Sequence, residues 1–376
     1  MKRPIGRDSM GAALCRPFSV RAESETCMTS PERTSLLDHE RLATLLARGI
    51  DDEIAASAWR LIVAARRILL LAHEHPDPDA LGSALGLAHA LRPLGKECLV
   101  ACADPVPANY TFLPGWESVV SALPDTAFDL VVALDAGDLT RYGVLYTRYR
   151  DFFDSALILN LDHHVTSTGC GAVSIIDPTS AATAELLTLL LLNRGVGIDL
   201  DAARCLLAGI ITDTRAFEYD ATTERTLAAG AYLVGCGAQP DAIIKPMYRI
   251  KPLAQARLRG LVLTTLQSAA QGRVVWATLR QDHLNAVGAT ADMDDGLPAY
   301  LIDIEGVSIA ALFKEQPNGS TRVSLRTIAP YDAAAICARY GGGGHVRAAG
   351  CSLDMDVEAA ARELVPTLEQ ALAEHE

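Results

Sequence analysis

The sequence is short of positive charge. Its 33 Lys and Arg face 46 Asp and Glu, a net charge of −13 with His neutral. That balance excludes a broadly basic surface for coating long duplex nucleic acid and a polybasic membrane anchor. A small anionic substrate remains compatible, but its site must supply local positive charge, and bound metal is the simplest source. No CxxC pair is present, and the nine cysteines are an odd number. Several sit in apolar runs, as in Ala203-Arg204-Cys205-Leu206-Leu207. They read as buried or free thiols of a reducing cytoplasm. No apolar run reaches the roughly 18–20 residues that span a membrane. No apolar stretch of signal-peptide length follows Met1-Lys2-Arg3. The expectation is a cytoplasmic protein without a membrane partner. There is also no internal repeat and no low-complexity tract.

What is present is a globular composition. Half the residues are hydrophobic and 21% are charged, which excludes global disorder. At roughly 100–200 residues per domain, the length suggests two domains. Residues 1–35 read as a flexible extension rich in Arg, Ser, Thr, Glu and Pro. Arg41 to Arg66 has apolar residues at helical spacing. Ile68–Ala72, Cys98–Cys102, Asp129–Leu134 and Ala156–Leu161 are short apolar runs of the kind that form strands buried on both faces. Helical stretches are expected at 80–93, 181–194 and 200–211. Strands alternating with helices imply an α/β fold with a mainly parallel sheet over 36–235. The stretch 236–252, from Cys236-Gly237 to Lys251-Pro252, reads as a hinge. A smaller α/β domain follows over 253–376, with strands at 274–279, 307–313 and 322–326 and helices at 331–339 and 356–373.

In parallel sheets, ligands bind at the carboxyl ends of the strands. After the first strand comes His73-Glu74-His75-Pro76-Asp77-Pro78-Asp79, whose prolines hold the backbone out of helix. By itself this reads equally well as a capping turn with Asp79 as N-cap. Asp135 follows the third strand, where a cap or turn would also suit it. Asp162-His163-His164 ends the fourth. Adjacent histidines there call for a reason, because unpaired polar groups are costly at a buried strand end. One imidazole can bind metal while the other faces substrate, with Asp162 orienting a histidine from behind. Asp213 closes a helix-like run, the end at which the helix dipole disfavours an acid unless a cation is near. Together these are carboxylate and imidazole ligands suited to Mn²⁺, with Mg²⁺, Co²⁺, Fe²⁺ or Zn²⁺ also accommodated. The set suits two ions sharing a bridging carboxylate, the usual device for hydrolysing phosphate esters.

The ordered motifs His73 to Ser83, Leu134 to Asp138, Asp162 to His164, Gly209 to Thr214 and Gly341 to Gly350 resemble those of the DHH phosphoesterase superfamily. Within it, the chain is similar to the bacterial nanoRNase and pAp phosphatase group over residues 36–376. The resemblance implies a DHH domain followed by a DHH-associated, substrate-binding domain. It implies one metal held by His73, Asp77 and Asp135, and a second held by Asp79, Asp135, His163 and Asp213. His164 would meet the scissile phosphate or assist the leaving group. The glycine run, with Gly342, Gly343, Gly344 and His345, would bind substrate together with Arg347 and Arg326. Pro78 stands where family members often have Gly, and Val165-Thr166-Ser167-Thr168 lacks their usual Asn. The implied activity is Mn²⁺-dependent hydrolysis of short oligoribonucleotides, linear dinucleotides or pAp by a metal-activated hydroxide. The implied assembly is a homodimer. The alternatives are an inorganic pyrophosphatase or exopolyphosphatase, and a non-catalytic nucleotide-binding module.

Overall fold

The computed structural model describes residues 38–294 and 296–375, so the extension expected over 1–35 lies outside the described residues. The chain divides into two compact units between Pro240 and Asp241. The helical pattern from Arg41 to Arg66 resolves into two helices, α1 (His39–Leu46) and α2 (Asp52–Ala64). The break falls at Gly49-Ile50-Asp51, where the Asp51 carboxylate accepts from the Glu53 and Ile54 N–H groups and caps a new helix.

The first unit is built on five strands: β1 (Arg67–Ala72), β2 (Glu97–Cys102), β3 (Leu130–Leu134), β4 (Ile158–Asp162) and β5 (Val173–Ile176). Their order is β2-β1-β3-β4-β5, and every pairing is parallel. Apart from Arg67, every residue of β1, β3 and β4 is buried, which explains why they are mostly apolar. In β5 only Ile175 is buried, so its pattern carried too little signal to be expected. The helices of this unit are α3 (Pro78–Leu91), α4 (Gly143–Arg148), α5 (Arg150–Ser155), α6 (Thr183–Asn193), α7 (Leu200–Asp213) and α8 (Glu224–Gly235). Pro78 takes the first helical position of α3, where its fixed φ suits the helix and no N–H is needed. The cap is Asp77, which accepts from Asp79 and Ala80 N–H, and not Asp79. The chain reverses its direction across the sheet between β1 and β3, the switch point at which such sheets place ligands.

The division falls at the first residue of α9 (Pro240–Ile244), which a π-helical turn follows at Lys245–Arg249, so much of the stretch expected as a hinge is helical. There follow α10 (Leu253–Leu263), β6 (Gln267–Ala269), β7 (Val274–Leu279), α11 (Gln281–Val287), α12 (Leu297–Ile302), β8 (Ile309–Glu315), β9 (Thr321–Thr327), α13 (Ala333–Ala338), β10 (Gly343–His345), β11 (Ala348–Leu353) and α14 (Val357–Ala373). The sheet order is β10-β11-β9-β8-β7-β6, antiparallel except for β7 and β8. One face packs on α13 and α14, with Phe313, Leu325, Ile336 and Leu364 in the core. The other packs on α10, α11 and α12 through Leu258, Leu284 and Leu301. The glycine run ends in an edge strand, with Gly343 and Gly344 in β10. Seven described cysteines are free. Among the described residues no helix is long and apolar enough to cross a membrane.

Helices α3 and α7 approach each other through glycine. A Cβ on Gly82 would lie 2.4 Å from the Cys205 carbonyl oxygen, and one on Gly209 would lie 2.3 Å from Asp79 Oδ1. The neighbour of Gly82 is backbone and cannot rotate away. Gly82→Ala is therefore expected to destabilise the protein by about 1–3 kcal/mol through overpacking. The check is the midpoint of a urea unfolding curve; an unshifted midpoint would show that the two helices can separate freely.

Candidate metal centre

Among the described residues, three groups bring ligand atoms within 4.8 Å of one another: His73, Asp77 and Asp135; Asp79, His163 and Asp213; and Asp135, His163 and His164. All stand at or just beyond the carboxyl ends of β1, β3 and β4, or at the facing ends of α3 and α7. Asp135 belongs to two groups. Its Oδ2 lies 3.4 Å from His73 Nε2, and its Oδ1 lies 3.6 Å from His163 Nε2. One carboxylate thus faces both imidazoles.

The imidazoles are aimed by backbone carbonyls. His73 Nδ1 donates to Glu74 O at 2.8 Å, and His163 Nδ1 donates to Ser180 O at 3.2 Å. Each ring therefore turns Nε2 toward the carboxylates. His163 Nε2 is buried without a hydrogen-bond partner, yet Asp213, Asp135 and Asp79 oxygens lie 3.2, 3.6 and 3.9 Å away. A donor atom left in that position, facing three carboxylates, fits a cation between them. The absence of cysteine from the cluster fits a hard or borderline ion and argues against structural zinc.

Holding so many acids together requires support. Asp79 is fully buried and accepts from Thr183 N at 2.7 Å and Ala184 N at 2.9 Å. Ala182, at the N-cap of α6, has no side chain able to cap, so Asp79 of α3 caps α6 from another helix. Thr183 Oγ1 also donates to Asp135 Oδ1 at 2.9 Å. Asp135 is itself held in a left-handed conformation, φ 59°, which a non-glycine residue adopts under constraint. The constraint is visible. Buried Asn160 donates to Ala133 O at 3.0 Å and Ala136 O at 2.9 Å, and Tyr142 OH donates to Leu134 O. After Asp213 the chain leaves through Arg215, Ala216 and Phe217, all at positive φ. Asp162, buried in β4, serves His164 and not His163: its Oδ1 accepts from His164 Nδ1 at 2.7 Å. His164 is half-exposed.

Sequence reading located the ligand candidates but missed Ser180, Thr183 and Asn160. Ser180 and Thr183 stood at the head of an apolar helix, and that placement was their only signal. Asn160, a lone amide inside an apolar strand, could have been noticed. In the second unit, the glycine run and Arg347 lie at the β10 edge, and Arg326 lies on β9, two strands in. Gly342 and Gly344 are needed for close backbone packing, since a Cβ would come 2.2 Å from Gly350 O and 2.6 Å from Ala348 O. Gly343 faces open space. His345 pairs through its backbone with Ala348, which also pairs with Arg326. Arg347 Nη1 donates to Tyr331 O and Ile328 O.

The charges within the cluster are strongly perturbed. Burial opposes protonation of His73, but Asp135 and Asp77 outweigh it and raise the imidazole to about 10. Burial is likewise outweighed at His163 by Asp213, Asp79 and Asp135, again to about 10. Burial and the Asp79 charge push Asp213 up to about 7. Without metal, the site therefore retains protons. A histidine raised from 6.5 contributes stability that is complete below pH 6.5 and lost as pH rises through about 10. The metal-free protein should therefore lose thermal stability between pH 6.5 and about 10, and divalent cations should offset the loss while releasing protons. Melting curves in chelator and in Mn²⁺ check this; a pH-independent apo curve would contradict it. Asn160→Leu, which strands two carbonyls, should cost about 1–3 kcal/mol in denaturant unfolding.

Comparison with known proteins agrees with this geometry. The DHH family, N-terminal domain, matches residues 67–210, and the DHHA1 domain matches residues 271–374. The bifunctional oligoribonuclease and PAP phosphatase NrnA of Thermus thermophilus is 35% identical over 311 residues, covering 81% of this chain and 90% of that protein. Its Bacillus subtilis counterpart is 27% identical, covering 82% and 96%. The crystal structure of an exopolyphosphatase-related protein from Bacteroides fragilis superposes with a TM-score of 0.77 at 23% identity, over 87% of this chain and 97% of that one, a likeness of fold. With both domain types in order and this degree of identity, the chain belongs to the DHH family and is a phosphoesterase, a hydrolase of phosphate ester bonds.

Proposed function

We propose that the protein is a Mn²⁺-dependent phosphoesterase that hydrolyses short oligoribonucleotides and linear dinucleotides to mononucleotides, and pAp to AMP. The single observation that carries the metal chemistry is Asp135, one oxygen toward His73 and the other toward His163. The substrate class follows the relatives named oligoribonuclease and PAP phosphatase, whose length this chain nearly covers.

In this reading His73, Asp77 and Asp135 would hold one ion, and Asp79, Asp135, His163 and Asp213 the other. Bound there, the ions would neutralise phosphoryl oxygens and lower the pKa of water. The chain's own contribution is to aim and to move protons. Asp162 holds His164 at Nδ1 and, with Asp135, raises its affinity for a proton. His164 is thereby favoured as a proton carrier that would donate from Nε2 to the leaving oxygen. We assign the grip on the nucleotide to the second unit, with the Gly343 backbone, His345, Arg347 and Arg326 as its contacts. The acidic balance of the whole chain suits short anions gripped locally over long ones.

Di- to pentaribonucleotides and pAp, incubated with Mn²⁺, Mg²⁺ or Co²⁺ and resolved by chromatography, test the reading. If all of them survive with every metal, it is wrong. Turnover of pyrophosphate or polyphosphate that nucleotides do not inhibit would instead place the protein with the pyrophosphatases. His164→Ala should lower kcat by about 10²–10⁴-fold while Mn²⁺ uptake is retained.

A further inference from the structure

Outside the ligand cluster, Arg225 on α8 meets a small polar network. Its Nε donates to Glu185 Oε1 at 2.7 Å, and its Nη2 donates to Asp177 Oδ2 at 2.9 Å and Ser180 Oγ at 2.8 Å. Nη1 reaches Gly49 O at 3.3 Å. Glu185 has no exposed side-chain surface and turns back to accept from Ala181 N at 3.1 Å and Thr226 Oγ1 at 2.8 Å. A carboxylate buried so completely is tolerated because it is paired and fully hydrogen-bonded.

The segment that this network grips, 177–185, touches the metal centre at three separate ligands. Ser180 O accepts from His163 Nδ1, Thr183 N and Ala184 N hold Asp79, and Thr183 Oγ1 holds Asp135. The segment is also anchored at its start, where Asp177 N donates to Asp162 O at 3.1 Å, and tightened by Ser180 Oγ on Asp177 Oδ2 at 2.9 Å. One guanidinium thus joins both ends: Asp177 and Ser180 before α6, and Glu185 in its first turn. Its planar fork and five donors suit that geometry, and the point charge of a lysine does not.

We infer that Arg225 is a positioning residue for the metal centre, acting through Asp177, Ser180 and Glu185 to fix the orientation of His163 and the carboxylates of Asp79 and Asp135. This inference rests on the metal-binding reading proposed above. Outer partners of metal ligands typically change affinity about 10–100-fold when removed. Arg225→Lys keeps a charge for Glu185 but loses the fork; Ser180→Ala removes the hydroxyl and leaves the carbonyl that His163 uses.

The test is Mn²⁺ titration calorimetry on the full chain, wild type and both variants, with folding followed by circular dichroism. Phe313→Leu, in the core of the second unit, serves as the reference for lost stability alone. Folded Arg225→Lys and Ser180→Ala should each bind Mn²⁺ about tenfold more weakly, with kcat reduced and KM little changed, beyond any effect in Phe313→Leu. If the wild type takes up Mn²⁺ and the two variants match it, the inference is overturned while the metal reading stands. If the wild type takes up none, both fall together.

Discussion

Mutual repulsion among carboxylates is the constraint around which the first unit is arranged. Asp77, Asp79, Asp135 and Asp213 converge on two imidazoles, and Asp79 and Asp135 have almost no exposure to water that could screen them. In a low-dielectric surrounding, such charges require compensation by protons or cations. Protons held by His73 and His163 provide it in the metal-free chain. The fold supplies the rest as fixed dipoles and hydrogen bonds: the N-terminus of α6 on Asp79, Thr183 on Asp135, and Asn160 across the strained turn that presents Asp135.

This explains features that would otherwise look arbitrary. Glycines 82 and 209 bring α7 against α3, so that Asp213 and Asp79 can share a site. Asp213 occupies the last residue of α7, where the helix dipole disfavours it, and His163 faces it at 3.2 Å. Helix α6 begins at an alanine with no capping side chain, and Asp79 supplies the cap. Local stability is given up at each of these points, and the site recovers it as geometry.

The second unit follows a different logic. Its sheet keeps one edge in glycine, where β10 lies so close to β11 that Gly342 and Gly344 admit no side chain. Gly343, in the same strand, faces open space.

Much of this was legible in the sequence. Apolar runs marked β1, β3 and β4 because both faces of a parallel sheet are covered, and the acids and histidines that follow them pointed to function when taken together. Residues 274–279 form β7 as their apolar pattern indicated. Less was legible where periodicity was weak, as in half-exposed β5, or where a cap interrupted a helical pattern, as at Asp51. Sequence alone determined which residues are available to bind metal, because residue type and place after a strand are local properties. Only the tertiary structure decided that Asp77 caps its own helix, that Asp79 caps a distant one, that Asp162 serves His164, and that Arg225 grips the segment behind the ligands. The Asp77 and Asp162 pairings are local and turn on side-chain direction, whereas those of Asp79 and Arg225 join residues 105 and 45 positions apart that only packing of the helices brings within hydrogen-bond reach.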